Sequence, residues 1–228
     1  MKAYKLTDEL GQTKLKTQWG PGVTIEVDPE YRGKGELCSR GWLHFYTHPL
    51  LAVLMNPIHA QFDPETMRMW EGEANGDLKD DRGLKMGCTR LTTLREIHVP
   101  RPTVEHRVAF AIYCVEALGY SEIMWCLWAE AWMKGTDRSY AAANAAYAAA
   151  YAAYASNAAS AAAYAAYASN ASYDSHADAY AAANAAAYAA NAAANAAAYA
   201  ANAANAVESL KTLDFHAICE RVYCSDCI

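Results

Sequence analysis

Two regimes of hydrophobic patterning divide the chain. Up to about residue 102 the apolar positions come in short runs broken by Gly, Pro and polar turns. "KAYKLTD", "VTIEV", "WLHFY", "MWEGEANG" and "GLKMGCTRLTTLREIHV" read as strands. "PLLAVLMNPIHA", which starts at Pro49, predicts a helix of about two turns that Pro57 ends. Together these elements predict a small α+β domain over residues 1–102.

Beyond it the spacing becomes helical. In "PTVEHRVAFAIYCVEALGY" Thr103 offers an N-cap, Glu105 and Glu116 stay outside, and Val108, Ile112 and Leu118 supply much of an inward face. Ser121 opens "SEIMWCLWAEAWMKG", where Trp125, Trp128 and Trp132 recur at three and four residues and so share one face. The stripe reads as core that cements this helix to its neighbours. Residues 103–135 are therefore two connecting helices, with Gly135 as a C-cap.

The next stretch has one dominant residue. From Tyr140 to Ala206, 41 of 67 residues are Ala, and the rest are Tyr, Asn and Ser apart from Asp174, His176 and Asp178. Alanine is the best helix former, and a long run nucleates once for many turns. Tyr180, Asn184, Tyr188, Asn191, Asn195, Tyr199 and Asn202 recur at about 3.6 residues, so they form one stripe on a nearly straight helix. The upstream Tyr/Asn stripe steps more closely and needs a supercoil or a break. "SNASYDSHADAY", residues 169–180, suits the break, because its Ser and Asn compete for backbone hydrogen bonds and its Asp residues favour a new helix start. The expectation is an arm over residues 136–206 folded as a hairpin of two Ala-rich helices of about 30 residues each. One long rod-like helix is the alternative. Residues 207–228 read as a C-terminal helix and a Cys-containing tail. The fold class is then α+β, with an all-α region after the mixed domain.

An alanine surface with almost no charge needs a cover. The arms could pack on each other and on the Trp helix, or the repeat could be a tolerated duplication. The functional reading is that the Ala/Tyr/Asn stripe mediates self-association or docks a protein partner. The pattern from Tyr188 to Asn195 begins again at Tyr199, eleven residues on, and this repeat resembles the alanine-rich antifreeze proteins of fish, which implies ice or surface binding, although Tyr stands where that family places Thr.

Charge and composition narrow the classes. The net charge of -6, with no basic run, offers no grip on nucleic acid phosphates. The N-terminus lacks the apolar core of a secretory signal, and Asn interrupts the alanine tract too often for a membrane span. The expectation is a soluble cytoplasmic protein with neither nucleic acid nor membrane as partner. Seven cysteines, an odd number, fit reduced thiols better than a disulfide framework.

Two groups could carry chemistry. On a strand, Trp42, His44, Tyr46 and His48 share a face by period two and could line a ligand pocket, with Glu71 and Glu73 of "WEGE" as acids. The plain alternative is a half-buried strand with hydrogen-bonded histidines. At the C-terminus, His216, Cys219, Cys224 and Cys227 are four residues of the types that bind zinc tetrahedrally. Their spacing is cramped, because "VESLKTLDFHAICERVY" reads as one helix; the alternative there is Cys219 in a helix seam. No nucleophile-base motif, phosphate loop or paired-carboxylate spacing accompanies either group, so binding is favoured over catalysis and no cofactor is assigned.

"KAYKLTD", the W-G-x-G-V at Trp19 to Val23, "LCSRGWLHFYTHPL", "WEGE" and "GLKMGCTRLTTLREI" resemble an uncharacterised domain of phage and bacterial proteins that is often followed by an Ala-rich tail. The resemblance covers about residues 1–135 and implies a phage or prophage setting without catalytic residues. "KAYK" and "GWLHFYTHPLLAVL" are also similar to pieces of small ADP-ribosyltransferase-like folds. Those pieces are too short to carry roles over; a phage accessory enzyme, or a binder of a nucleotide-type ligand, using the His44/Tyr46 face is the second functional expectation.

Overall fold

A computed structural model describes residues 1–152, 162–167, 184–195 and 213–224. The fold is mixed α/β, and the chain divides into two compact units, Met1–Arg101 and Pro102–Ile228.

The first unit is built on an antiparallel sheet of β1 (Lys2–Thr7), β2 (Val23–Glu26), β3 (Leu43–Phe45), β4 (Arg68–Asp80) and β5 (Met86–Ile97). β4 and β5 form its centre. β1 lies beyond β4, while β2 and β3 follow one another along the far side of β5. Tyr46, directly after β3, exchanges two backbone hydrogen bonds with Tyr4 of β1, both 2.9 Å long. β1, β4, β5 and β3 therefore close into a ring, which satisfies strand edges that would otherwise stay open. Ala3, Trp19, Phe45, Trp70, Ala74, Cys88 and Leu91 fill its core.

α1 (Pro49–His59) follows the closing pair at once. The helix does not stop at Pro57 but continues to His59. Pro57 removes one backbone donor, and the helix then ends by directing the Ala60 and Gln61 N–H groups at the Asn56 carbonyl.

In the second unit Thr103 caps α2 (Val104–Ala117), with His106 completing a capping box. Val108 and Ile112 are buried as the pattern requires, whereas Leu118 is half-buried. α3 (Ile123–Met133) is capped by Glu122, one residue past the expected Ser121, because the Glu122 carboxylate accepts the Met124 and Trp125 N–H groups. Trp125, Trp128 and Trp132 are all buried on one face. The Trp125 indole donates to the Ala162 carbonyl at 3.0 Å, which ties the Trp helix to the alanine repeat.

The repeat is helical over α4 (Tyr140–Ala152) and over residues 162–167 and 184–195. Its ring contacts exclude a single rod. Tyr164 and Tyr188 stack with centroids 5.6 Å apart, whereas 24 residues of straight helix would separate them by about 36 Å. Tyr147 and Tyr167 meet at 6.1 Å, where 20 residues of straight helix would separate them by about 30 Å, so the first arm is not one helix of about 30 residues. The break expected at 169–180 lies outside the described residues.

α5 (Phe215–Cys224) begins later than the sequence pattern suggests. Asp214 accepts the Ala217 N–H and starts the helix there, and Leu213 and Asp214 are not helical. Its buried positions, Phe215, Ile218, Cys219 and Val222, form one stripe. α5 packs on α2, with Phe215 6.2 Å from Phe110 and the Arg221 guanidinium 3.9 Å above the Tyr113 ring. No helix of the described residues is long and apolar enough to cross a membrane.

Gly72 marks the tightest backbone approach in the sheet, beside a register shift in β4. A Cβ there would lie 2.2 Å from the Thr92 carbonyl oxygen. Gly72→Ala is expected to cost more than about 3 kcal/mol, because only backbone could yield. Gly22→Ala meets open space and only the strain of φ +73°, and should cost about 1 kcal/mol. Urea unfolding of the two variants measures the difference.

Candidate functional site

The ring closure sets the site. Pairing Tyr46 with Tyr4 brings the end of β3 beside β1, so that Lys5 donates through Nζ to the His44 carbonyl at 2.6 Å. The His44 ring is held from its other side, where Nε2 donates to the Leu37 carbonyl. Tyr46 is buried, and its hydroxyl shares a 3.1 Å hydrogen bond with Nδ1 of His59, one helix further along the chain. The two rings also stack, with centroids 6.1 Å apart.

Local chemistry supplies the remaining walls. Asn56, buried at the end of α1, accepts the Phe62 N–H and donates to its carbonyl, at 3.1 and 2.9 Å, which pins the turn carrying His59 and Ala60. Asp8 accepts the N–H groups of Leu10 and Gln12 and shapes the loop after β1. That loop carries Thr13 and Lys14. Lys85 stands directly before β5, only 8% exposed, with Nζ 3.2 Å from the Cys38 sulfur and 3.8 Å from Asp81.

These groups surround a cavity of about 120 Å³ lined by Lys5, Leu6, Thr13, Lys14, His44, Tyr46, His59, Ala60, Phe62 and Lys85. Its electrostatics follow from burial. Desolvation pushes the Lys5 ammonium down to about 8 and His59 down to about 4, lowers His44, and holds the Tyr46 phenol above its ordinary value. Near neutral pH both imidazoles are therefore uncharged, the phenol keeps its proton, and Lys5 remains mostly an ammonium.

The structure redistributes the residues singled out from sequence. His44 and Tyr46 share the cavity, but the strand is too short to carry the whole set. Trp42 donates instead to the Gly35 carbonyl at 3.3 Å, and His48 accepts the Leu50 N–H as the cap of α1. Glu71 does not reach the cavity. It pairs with Lys2 and Arg95, each at 3.1 Å, and the Lys2 hydrogen bond does most to lower its pKa. Glu73 is exposed on the same strand. Lys5, Lys14, Lys85 and His59 had no sequence signal: they come from four separate segments and fit no motif spacing.

At the C-terminus, His216 is exposed while Cys219 is fully buried, with its thiol pushed up by desolvation and held near Cys114. Cys219 thus takes the helix-seam position. The Cys224 side chain and Cys227 lie outside the described residues. In the repeat, Asn184, Asn191 and Asn195 are half-buried and Tyr188 is 47% exposed, while Tyr180, Tyr199 and Asn202 lie outside.

The chain matches no family model, no curated protein and no solved structure.

His59 gives the site a pH signature. Its folded value of about 4 lies below the ordinary 6.5, so the unfolded chain binds more protons between them and stability falls as pH falls through that window. From pH 7 to 5 the loss due to His59 is about 2 kcal/mol, with His44 acting in the same direction. His59→Gln should remove that part of the loss, as read from urea midpoints at the two pH values.

Proposed function

We propose that the first unit is a non-enzymatic binding module that holds a small polar ligand in the cavity between β1, β3 and the end of α1. The observation that carries this reading is the convergence of Lys5, Lys85, His44, Tyr46 and His59 on one cavity of about 120 Å³. An engineered apolar cavity of roughly 150 Å³ takes benzene, so there is room for a compact ligand or for one group of a larger one. Sites for drug-sized molecules run from roughly 300 to 1,000 Å³, which argues for an end group over a whole nucleotide. The lining includes no carboxylate and no thiol, and its ionisable side chains are lysine, histidine and tyrosine. The phage-domain motifs support a phage or prophage origin and a cytoplasmic setting in the host.

The helical unit serves as a scaffold in this proposal. Within 162–167 and 184–195 every Ala is buried except the half-buried Ala192, so these described segments leave no flat alanine face for ice. Self-association is a second reading, favoured by a different observation. α3 turns Ile123, Met124 and Leu127 outward, 51 to 72% exposed, on the side away from its buried indoles. Light scattering tests it: a mass that rises with concentration and reverts in Leu127→Glu supports the reading, and a monomer throughout removes it.

Ligand binding is tested by saturation-transfer NMR of the full chain with a mixture of neutral, cationic and anionic compounds of fewer than about ten heavy atoms. At least one compound should bind, and Ala60→Phe, which adds a ring to the lining, should abolish its signal. No binding, or binding that survives the filled cavity, rejects the module.

A further inference from the structure

Resting on that ligand-binding reading, we propose that the cavity recognises the dianionic phosphate of a small phosphomonoester, with the Lys5 and Lys85 ammonium groups as its anchors. The chain as a whole is acidic, at -6, yet three lysines from three separate segments converge on this one cavity. Like charges drawn together and partly desolvated are unfavourable unless something negative joins them. None of the lining residues is Asp or Glu. Asp81 lies 3.8 Å from Lys85 and 3.2 Å from Arg82, so one carboxylate stands against the three lysines and an arginine.

The donors are also underused. An ammonium has three N–H donors. Lys5 hydrogen-bonds one carbonyl, that of His44, and Lys14 has no hydrogen bond or ion pair among the described residues. Lys85 spends one donor on the Cys38 sulfur, a weak acceptor. A phosphate monoester offers three terminal oxygens to such groups, and lysine binds phosphate as a point charge from diverse directions. A planar carboxylate would engage fewer. The C-terminal end of α1 brings about half a negative charge to the same wall, which is small against three ammonium groups.

Binding should also move protons. The titratable groups that share the lining with Lys5 are Lys14, Lys85, His44, Tyr46 and His59, and Cys88 of β5, whose thiol is itself raised to about 11 by burial, also interacts with it. Lys5 titrates near pH 8. A dianion placed beside it raises its affinity for a proton, so binding at pH 8 takes one up in part, and binding weakens as pH rises further.

Calorimetric titration of the full chain with inorganic phosphate, methyl phosphate, dimethyl phosphate and glycerol tests the proposal. Phosphate and methyl phosphate should bind, the diester at least about tenfold more weakly, and glycerol not at all. Lys5→Met and Lys85→Met should each weaken phosphate at least about tenfold, the loss of one charge-assisted bond, while Lys34→Met, outside the cavity, leaves it unchanged. Wild-type heats measured at pH 8 in buffers of different ionisation enthalpy should show proton uptake, a readout that needs no variant to fold. If glycerol or cationic compounds compete for the cavity and phosphate does not, the phosphate assignment fails and the ligand-binding module stands. If phosphate binds equally well to both lysine variants, or without proton uptake, the proposal is overturned. If nothing occupies the cavity, both fall.

Discussion

Two backbone hydrogen bonds between Tyr4 and Tyr46 carry more of the first unit than their number suggests. They close the ring of strands, and with it they decide which side chains become neighbours. Lys5 comes one residue after Tyr4, and His44 comes two before Tyr46. Once the pair is made, the Lys5 ammonium and the His44 carbonyl meet at 2.6 Å. α1 starts only three residues beyond Tyr46, so the same closure directs where its far end brings His59. The cavity is a consequence of closure geometry more than of any one loop.

Closure has an electrostatic cost that the first unit accepts. Burial opposes charge on Lys5 and His59, and each is shifted toward its neutral form. A core optimised for stability alone would put apolar residues there, since buried charge without a well-placed partner is destabilising. Perturbed titrating groups that gather in one cavity are the usual mark of a binding or reactive site. Here they occur without carboxylates in the lining, and that imbalance gives the site its chemical direction.

The second unit solves a different problem. Alanine helices can approach to about 8 Å, and at that distance a seam has room for methyl groups but not for phenol rings. The described repeat follows this rule: Ala185, Ala186, Ala189, Ala190, Ala193 and Ala194 are buried, while Tyr164, Tyr167 and Tyr188 are 38 to 47% exposed, Tyr164 stacking on Tyr188 and Tyr167 meeting Tyr147. Tyrosine therefore contributes ring pairing at the margin, where its hydroxyl stays near water, and alanine contributes the core. A stripe of large residues on a helix normally marks the buried face, and a sequence this rich in Ala reverses that inference.

Much of the fold was written locally. The five strands, the cap at Thr103, and the indole face of Trp125, Trp128 and Trp132 follow from period, capping chemistry and spacing, all of which act over a few residues. Helical preference across the alanine repeat belongs to the same class. What the sequence alone left open were the features that depend on residues far apart in the chain. The union of Tyr4 with Tyr46, the pairing of the Tyr164 ring with Tyr188, the continuation of α1 through Pro57, and the removal of Glu71 from the cavity were decided by tertiary packing. His44 and Tyr46 were legible as a pair because a strand alternates its faces. Lys5, Lys85 and His59 were not, because only the closed ring of strands brings their three segments to one place.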